Sequence, residues 1–237
     1  PPSGGGVVLL TSLNILNNFK FKKSDSNATS TYHLLAESLR RGHNNRSHHV
    51  GDPSFYKVPF DELLSKKRTK EFIKNLSLKK ATPSSKIKPL RVLNESRDTT
   101  HYSIIDKDGN AVSNTYTLGY SFGSGVTIPG TGILMNNQMN NFAYRYGDKS
   151  IEGRVGSPGN RYEPGKRPMS TMAPSMVFNQ EGQLVLITGS PGGSYIPAAI
   201  LRVISGVIDF DLNIGSATML PRIHKDWPYK GLDYETT

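Results

Sequence analysis

The stretch "ESRDTTHYSIIDKDGNAVSNTYT", residues 95–117, decides how the chain is read. Polar turn-formers stop at two adjacent threonines, Thr99 and Thr100, and a pattern of alternating residues begins at once. Tyr102 and Ile104 stand on one side of "DKDGN" and Val112, Asn114 and Tyr116 on the other, and Asp108-Gly109 is a strong pair for a hairpin turn. Two β-strands are therefore expected. Threonine pairs commonly open strands because β-branched side chains suit the extended backbone. A threonine hydroxyl becomes a nucleophile only with a base beside it. One way to supply that base is to cut the preceding peptide bond, so that the free α-amine takes the proton.

Working outward, the two sides of Thr99 differ in character. Residues 1–98 carry 18 Lys and Arg against 8 Asp and Glu, residues 99–237 carry 11 against 11, and the whole net charge of +10 lies before the threonine pair. In "FDELLSKKRTKEFIKNL" the residues Leu63, Leu64, Phe72, Ile73 and Leu76 recur at helical spacing, which leaves the lysines as a solvated outer face. No interleaved aromatics or nucleic-acid motif accompany them, so nucleic acid is not an expected partner. Further helices are expected at "GVVLLTSLNILNNF" and "STYHLLAESLRRG", with an extended or turning link at "GDPSFYKVP". Residues 79–98 are polar, contain two prolines and read as an exposed tether.

After the hairpin, strands are expected at "TGILMNN" (131–137) and within "SMVFNQEGQLVLITG" (175–189), which turns at residues 180–182. "IPAAILRVISGVIDF" (196–210) reads as a buried helix, and the glycine- and proline-rich residues 147–168 as a long loop. Helices, then hairpins, then a helix predict a layered α/β or α+β architecture.

Composition excludes some chemistry. With no cysteine, disulfides, thiolate nucleophiles and cysteine-held metals are ruled out, and covalent chemistry must rest on Ser, Thr, Lys or carboxylate. No apolar run reaches the length of a membrane span. The histidines make no convincing metal site, since the neighbours His48 and His49 cannot both face one ion from a regular helix, His101 sits on a strand and His224 lies in a tail. "PPSGGGVVLL" has neither a charged leader nor an initiating methionine, which leads us to expect a piece of something longer.

Three other segments carry polar groups suited to a site. "SPGGS" (190–194) follows an apolar strand and precedes a helix, so the Gly192 and Gly193 amides are suited to an anionic oxygen, or to a tight turn needing positive φ. "NNQMNNF" (136–142) offers side-chain amides, and "EPGKRPMSTMAPS" (163–175) offers Lys166, Arg167, Ser170 and Thr171, which suit a substrate carboxylate or local backbone capping.

Taken in order, "TTHYSIIDKDGNAVSNTYT", "GILMNNQMNNF", "GKRPMSTMAPS" and "LITGSPGGS" resemble the γ-glutamyltransferase family, also called γ-glutamyltranspeptidase or glutathione hydrolase. "PPSGGG" and "RSHHVGDPSFYKVP" resemble the family's preceding subunit. The resemblance implies an N-terminal-nucleophile hydrolase with an αββα four-layer sandwich, made as a zymogen that cuts itself between Asp98 and Thr99. Residues 1–98 would then be the C-terminal part of the large subunit, and 99–237 the N-terminal part of the small one. It implies Thr99 as nucleophile, Thr117 as the second threonine activating it, and Gly192 and Gly193 as the oxyanion hole. Gln138, Asn141, Ser170 and Thr171 match the positions that bind the donor's α-amino and α-carboxylate groups, with Thr171 where many members have serine.

The partners implied are a γ-glutamyl substrate, the rest of the large subunit and no cofactor. The place of action implied is the periplasm, the cell surface or the exterior. The family pattern is departed from at Asn141, where members carry an aspartate, at Gly119, where an asparagine is common, and at the lid tyrosine, for which Tyr144 and Tyr146 are the nearest residues. Asn141 with "YEPGKR" is more similar to the branch that cuts and transfers poly-γ-glutamate capsule. A non-catalytic binding module with the same fold is the alternative from another class.

Overall fold

The computed structural model describes residues 3–83, 86–87, 98–143, 158–227 and 231–236. Helix α1 (Gly4–Leu16) starts at Ser3, whose Oγ accepts from the Gly6 amide at 3.1 Å, as an N-cap should. Helix α2 (Thr29–His49) is the long central rod, and α5 (Ile196–Ile208) is the third core helix. Val8, Leu9 and Leu16 of α1, Leu34, Leu35 and Leu39 of α2, and Ile196, Ile200, Leu201 and Ile204 of α5 form one core. Ala173, Leu186 and Ile223 close it. Segments on both sides of Asp98-Thr99 thus share a single apolar interior. Parting them would expose it to water, at roughly 1.5–3 kcal/mol for each large buried side chain.

The expected helix across 61–76 divides into α3 (Phe60–Leu63) and α4 (Lys66–Lys74). Ser65 is extended between them, and its Oγ accepts from the Arg68 amide at 3.0 Å. The cap satisfies a donor that a continuous helix would have bonded to a carbonyl. Helix α2 runs seven residues past the "STYHLLAESLRRG" segment. Its last turns bury Asn44, Asn45, Arg46 and Ser47, polar residues that a hydrophobic-period reading assigns to loop. A short helix α6 (Ile214–Met219), capped by the Asn213 side chain, follows α5.

Among the described residues the strands pair as three antiparallel two-stranded sheets. Strand β1 (Asp98–Ile105) pairs with β2 (Ala111–Gly119), β3 (Ser175–Phe178) with β4 (Leu184–Thr188), and β5 (Ile223–His224) with β6 (Asp233–Tyr234). The first two hairpins turn where expected. At the β1–β2 turn the Asp106 carboxylate accepts from the Asp108 and Asn110 amides, both at 2.9 Å. Residues 131–137 do not form the expected strand. They fold back on 124–128 through Met135 N to Val126 O and Ile128 N to Ile133 O, with a lone bridge between Thr127 and Leu134. Four glycines at positive φ, at 123, 125, 130 and 132, set the curvature that keeps this segment out of a ladder.

The tether is also not wholly exposed. Thr82 is buried, its amide donating to Glu37 Oε1 at 3.2 Å. Ile87 is buried too, and its carbonyl accepts from Trp227 Nε1 at 2.8 Å. Glu37 is itself held by Arg41 at 2.6 Å and Arg40 at 3.4 Å. A buried ion cluster on α2 therefore anchors Thr82, while residues 88–97 of the expected tether lie outside the described residues.

Candidate active site

The register of β1 against β2 places the threonines. Asp98 pairs with Gly119 and Thr100 with Tyr116, so Thr99 alone opposes Thr117 and Leu118. This is a β-bulge, with the extra residue on β2, and bulges re-aim side chains at strand ends beside sites. Thr99, Thr100, Tyr116, Thr117, Leu118, Tyr120 and Ser121 line a cavity of about 340 Å³. Thr99 and Thr117, the pair implied by the family resemblance, thus share one concavity, both half-buried.

Local hydrogen bonds fix Thr117. Its Oγ1 accepts from the Gly119 amide at 2.9 Å, and its carbonyl accepts from Gln138 Nε2 at 3.3 Å. Gly119 has φ of 100°, and a Cβ there would overlap Asn137 Oδ1. That oxygen accepts from the Tyr120 amide at 3.2 Å, while the Asn137 amide donates to the Leu118 carbonyl at 2.8 Å. The absence of an asparagine at 119 therefore has a physical counterpart, because the side chain of Asn137 fills that space.

Gln138 and Asn141 lie on one 3-10 turn, with Asn141 Nδ2 donating to Gln138 Oε1 at 2.5 Å. The buried Asn160 ties this turn to the segment before Ser170. Its Nδ2 donates to the Asn141 carbonyl at 2.8 Å and its Oδ1 accepts from the Met169 amide at 2.9 Å. Asn137 and Asn160 were not singled out from the sequence. The first sits among four asparagines within six residues and the second in a glycine- and proline-rich loop, so neither spacing carried a signal.

Ser170 and Thr171 are buried against the start of α1 rather than in the Thr99 cavity. The Ser170 carbonyl accepts from the Gly4 amide at 2.7 Å and the Gly5 amide at 3.2 Å, and a Cβ at Gly5 would overlap the Thr171 carbonyl. The glycine run of "PPSGGG" is thereby explained as a close backbone approach. Below it, Asp52 joins the first segment to the Ser170 loop through Arg167, whose Nη2 donates at 2.7 Å and Nε at 3.0 Å. Hydrogen bonds from the Arg167 side chain hold the Asp52 carboxyl well below the usual carboxylate range.

Gly192 and Gly193 have φ of 121° and 56° and stand at the 3-10 turn that opens α5. This conformation is strained for any residue with a side chain, and it sets backbone amides at the positive end of a helix. The turn lies beside a second cavity of about 360 Å³ that Thr99 does not line. The hairpins meet nearby. The His101 ring packs on Gly189, its Nδ1 lies 2.8 Å from Thr115 Oγ1, and Ser113 Oγ donates to the Thr188 carbonyl at 3.2 Å. Burial lowers the His101 pKa, so near neutrality this contact is made by a neutral ring.

Tyr144 and Tyr146 lie outside the described residues. Among the described residues no group of three His, Asp or Glu side chains could hold a metal ion, and no helix is long and apolar enough to cross a membrane.

The profile of the family described as Gamma-glutamyltranspeptidase matches residues 1–237. The glutathione hydrolase proenzyme of Escherichia coli K12 is 42% identical over 228 residues, 96% of this chain and 39% of that protein. A crystal structure of the Helicobacter pylori gamma-glutamyltranspeptidase T380A mutant is 44% identical, with a TM-score of 0.53 over 58% of this chain and 73% of that one. The cephalosporin acylase structure from Bacillus halodurans is 30% identical, with a TM-score of 0.73 over 94% of this chain and 38% of that one. These likenesses bear out the N-terminal-nucleophile hydrolase fold class. They also fix the scale, since the chain spans 39% of the length of the E. coli relative.

Proposed function

This chain belongs to the gamma-glutamyltranspeptidase family, and from that premise we propose that it carries the nucleophile half of a γ-glutamyl acyl-transfer enzyme. The observation that bears the reading is the bulge that sets Thr99 opposite Thr117 at one cavity. In maturation Thr99 Oγ attacks the Asp98 carbonyl, and the amide nitrogen leaves as the α-amine of Thr99. Water then cleaves the ester, freeing the Asp98 carboxylate and the Thr99 hydroxyl. In turnover the α-amine takes the hydroxyl proton as Oγ attacks a γ-glutamyl amide carbonyl. Gly192 and Gly193 amides stabilise the tetrahedral oxyanion, and the leaving amine departs protonated. Water or an amino acid or peptide amine then resolves the ester, giving hydrolysis or transpeptidation.

Glutathione and related γ-glutamyl amides are the donors this reading favours. Gln138 and Asn141, on the turn that bonds the Thr117 carbonyl, serve the donor's polar end, and the remainder of the large subunit completes the site; Ser170 and Thr171 keep that assignment on the family resemblance alone, since both pack against α1. The family resemblance supports action in the periplasm or at the cell surface. A second reading, action on poly-γ-glutamate, is favoured by Asn141, whose neutral amide can accept from a substrate ammonium but offers it no opposite charge.

Mass analysis of the purified protein tests the first reading. A subunit beginning at Thr99 is expected, and Thr99→Ala should stay uncut; cleavage persisting in that variant would sink autoprocessing. Asn141→Asp should raise activity on γ-glutamyl-p-nitroanilide relative to poly-γ-glutamate. An unchanged ratio removes the ground for the polymer reading.

A further inference from the structure

A pair of glycines cannot hold its own amides in one direction, because it has no side chain to pack and its torsions are free. An oxyanion hole nevertheless works only if its donors are fixed before charge develops. Something outside the pair must set the Gly192–Gly193 turn.

The structure offers Tyr195. Its amide donates to the Gly192 carbonyl at 3.0 Å, closing the turn. Its Cβ lies 3.5 Å from where a Cβ of Gly192 would be, so the residue backs the turn directly. The side chain is fixed at both ends. Its hydroxyl donates to Asp233 Oδ2 at 2.7 Å, and its ring lies on the His224 ring at a centroid distance of 4.3 Å and a tilt of 34°. Asp233 and His224 are themselves register partners in the β5–β6 hairpin. His224 is buried, with the His43 ring edge-on at 5.4 Å. The paired strands β5 and β6 thus form a wall behind Tyr195, and Tyr195 links that wall to the glycine pair.

We propose that Tyr195, braced by Asp233 and His224, is a positioning residue that aims the Gly192 and Gly193 amides at the oxyanion. The proposal rests on the reading of those glycines as the oxyanion hole, and it extends that reading to residues outside the reacting centre. Tyr195 stands behind the turn on the wall of the 360 Å³ cavity, with Ser190, Arg222 and Glu235 around it, whereas the Thr99 cavity has other walls. Its loss should therefore slow the chemical step and spare donor binding.

The test compares Tyr195→Phe, Tyr195→Ala and Asp233→Asn in the processed enzyme with γ-glutamyl-p-nitroanilide. Tyr195→Phe, which keeps the ring and loses the hydroxyl, should lower kcat about 10-fold. Tyr195→Ala should lower it about 100-fold, the scale of losing one oxyanion donor. KM should stay within about two-fold in both, as expected when only a transition-state interaction is weakened. Asp233→Asn keeps an acceptor for the hydroxyl and should hold kcat within about three-fold.

Hydrogen exchange at the 192–193 amides gives a readout free of turnover, and Tyr195→Ala should speed it about 10-fold in folded protein. Should Tyr195→Ala fail to fold, Tyr195→Phe decides by the same two measurements. Unchanged kcat and unchanged exchange overturn the proposal, as does a rise in KM with kcat intact. Wild-type protein without γ-glutamyl turnover would instead count against the function proposed above, and exchange would still decide on Tyr195.

Discussion

Gly119→Ala puts the geometry beside Thr117 under direct load. The backbone at 119 has φ of 100°, a region where a non-glycine residue costs about 1–2 kcal/mol. The added Cβ would also overlap Asn137 Oδ1, so the Asn137 amide must rotate away and give up its 3.2 Å bond from the Tyr120 amide. Losing that bond adds about 0.5–1.5 kcal/mol. The sum is about 1.5–3.5 kcal/mol, and for a chain of this size it corresponds to a Tm lower by about 3–14 °C. Because the Gly119 amide also donates to Thr117 Oγ1, processing at Asp98-Thr99 should slow as well. The assay is thermal unfolding of Gly119→Ala, Asn137→Ala and the double variant, with cleavage followed by mass. The double variant should lose less stability than the two single losses added, since Asn137→Ala removes the atom that clashes. A Tm for Gly119→Ala within 1 °C of wild type, or strict additivity, would refute the account of this corner.

Three other expectations concern charge. Glu37→Gln leaves the buried guanidiniums of Arg40 and Arg41 without their anion and should cost about 3–5 kcal/mol by denaturant unfolding. The Asp52 pKa is depressed in the folded state. Its contribution is therefore present above the unfolded value and lost as pH falls through the acid range, and Asp52→Asn should flatten the acid limb of the stability profile. Lys225 gives the same sign from a charge that the fold disfavours. Burial, with the Arg40 charge nearby, lowers its pKa from 10.5 to about 8. Between those values the unfolded chain holds a proton that the folded one has released. Stability attributable to Lys225 thus rises with pH there, and the Tm of Lys225→Gln relative to wild type should fall across that window.

What could be read without coordinates followed from local periodicity and turn chemistry. The three core helices, the β1–β2 hairpin at Asp108-Gly109 and the β3–β4 hairpin repeat every 3.6 or 2 residues, and such patterns survive in a string of letters. The break between α3 and α4 did not, because Ser65 acts through one side-chain bond rather than a change of pattern. The last turns of α2 were hidden for a related reason. Their buried faces are polar and are satisfied by distant partners, as when Asn45 Nδ2 donates to Leu63 O at 3.4 Å and Arg68 Nη2 donates to Asn45 Oδ1 at 3.2 Å. Residues 131–137 looked like a strand by composition, yet a strand needs a partner edge, and the positive-φ glycines before it turn the chain away.

By itself the sequence determined the three core helices and the first two hairpins and, through the order of four motifs, the family and the candidate roles of Thr99, Thr117, Gly192 and Gly193. Only the tertiary structure decided how they stand. The bulge that opposes Thr99 to Thr117 depends on a one-residue register shift between strands. Asn137 fills the space beside Gly119, and Asn160 links the Gln138 turn to Met169. Ser170 and Thr171 lie against α1, and Tyr195 backs the glycine pair through Asp233 and His224. Most of these depend on contacts between residues well separated along the chain, and local spacing records neither the partner nor the register that creates them.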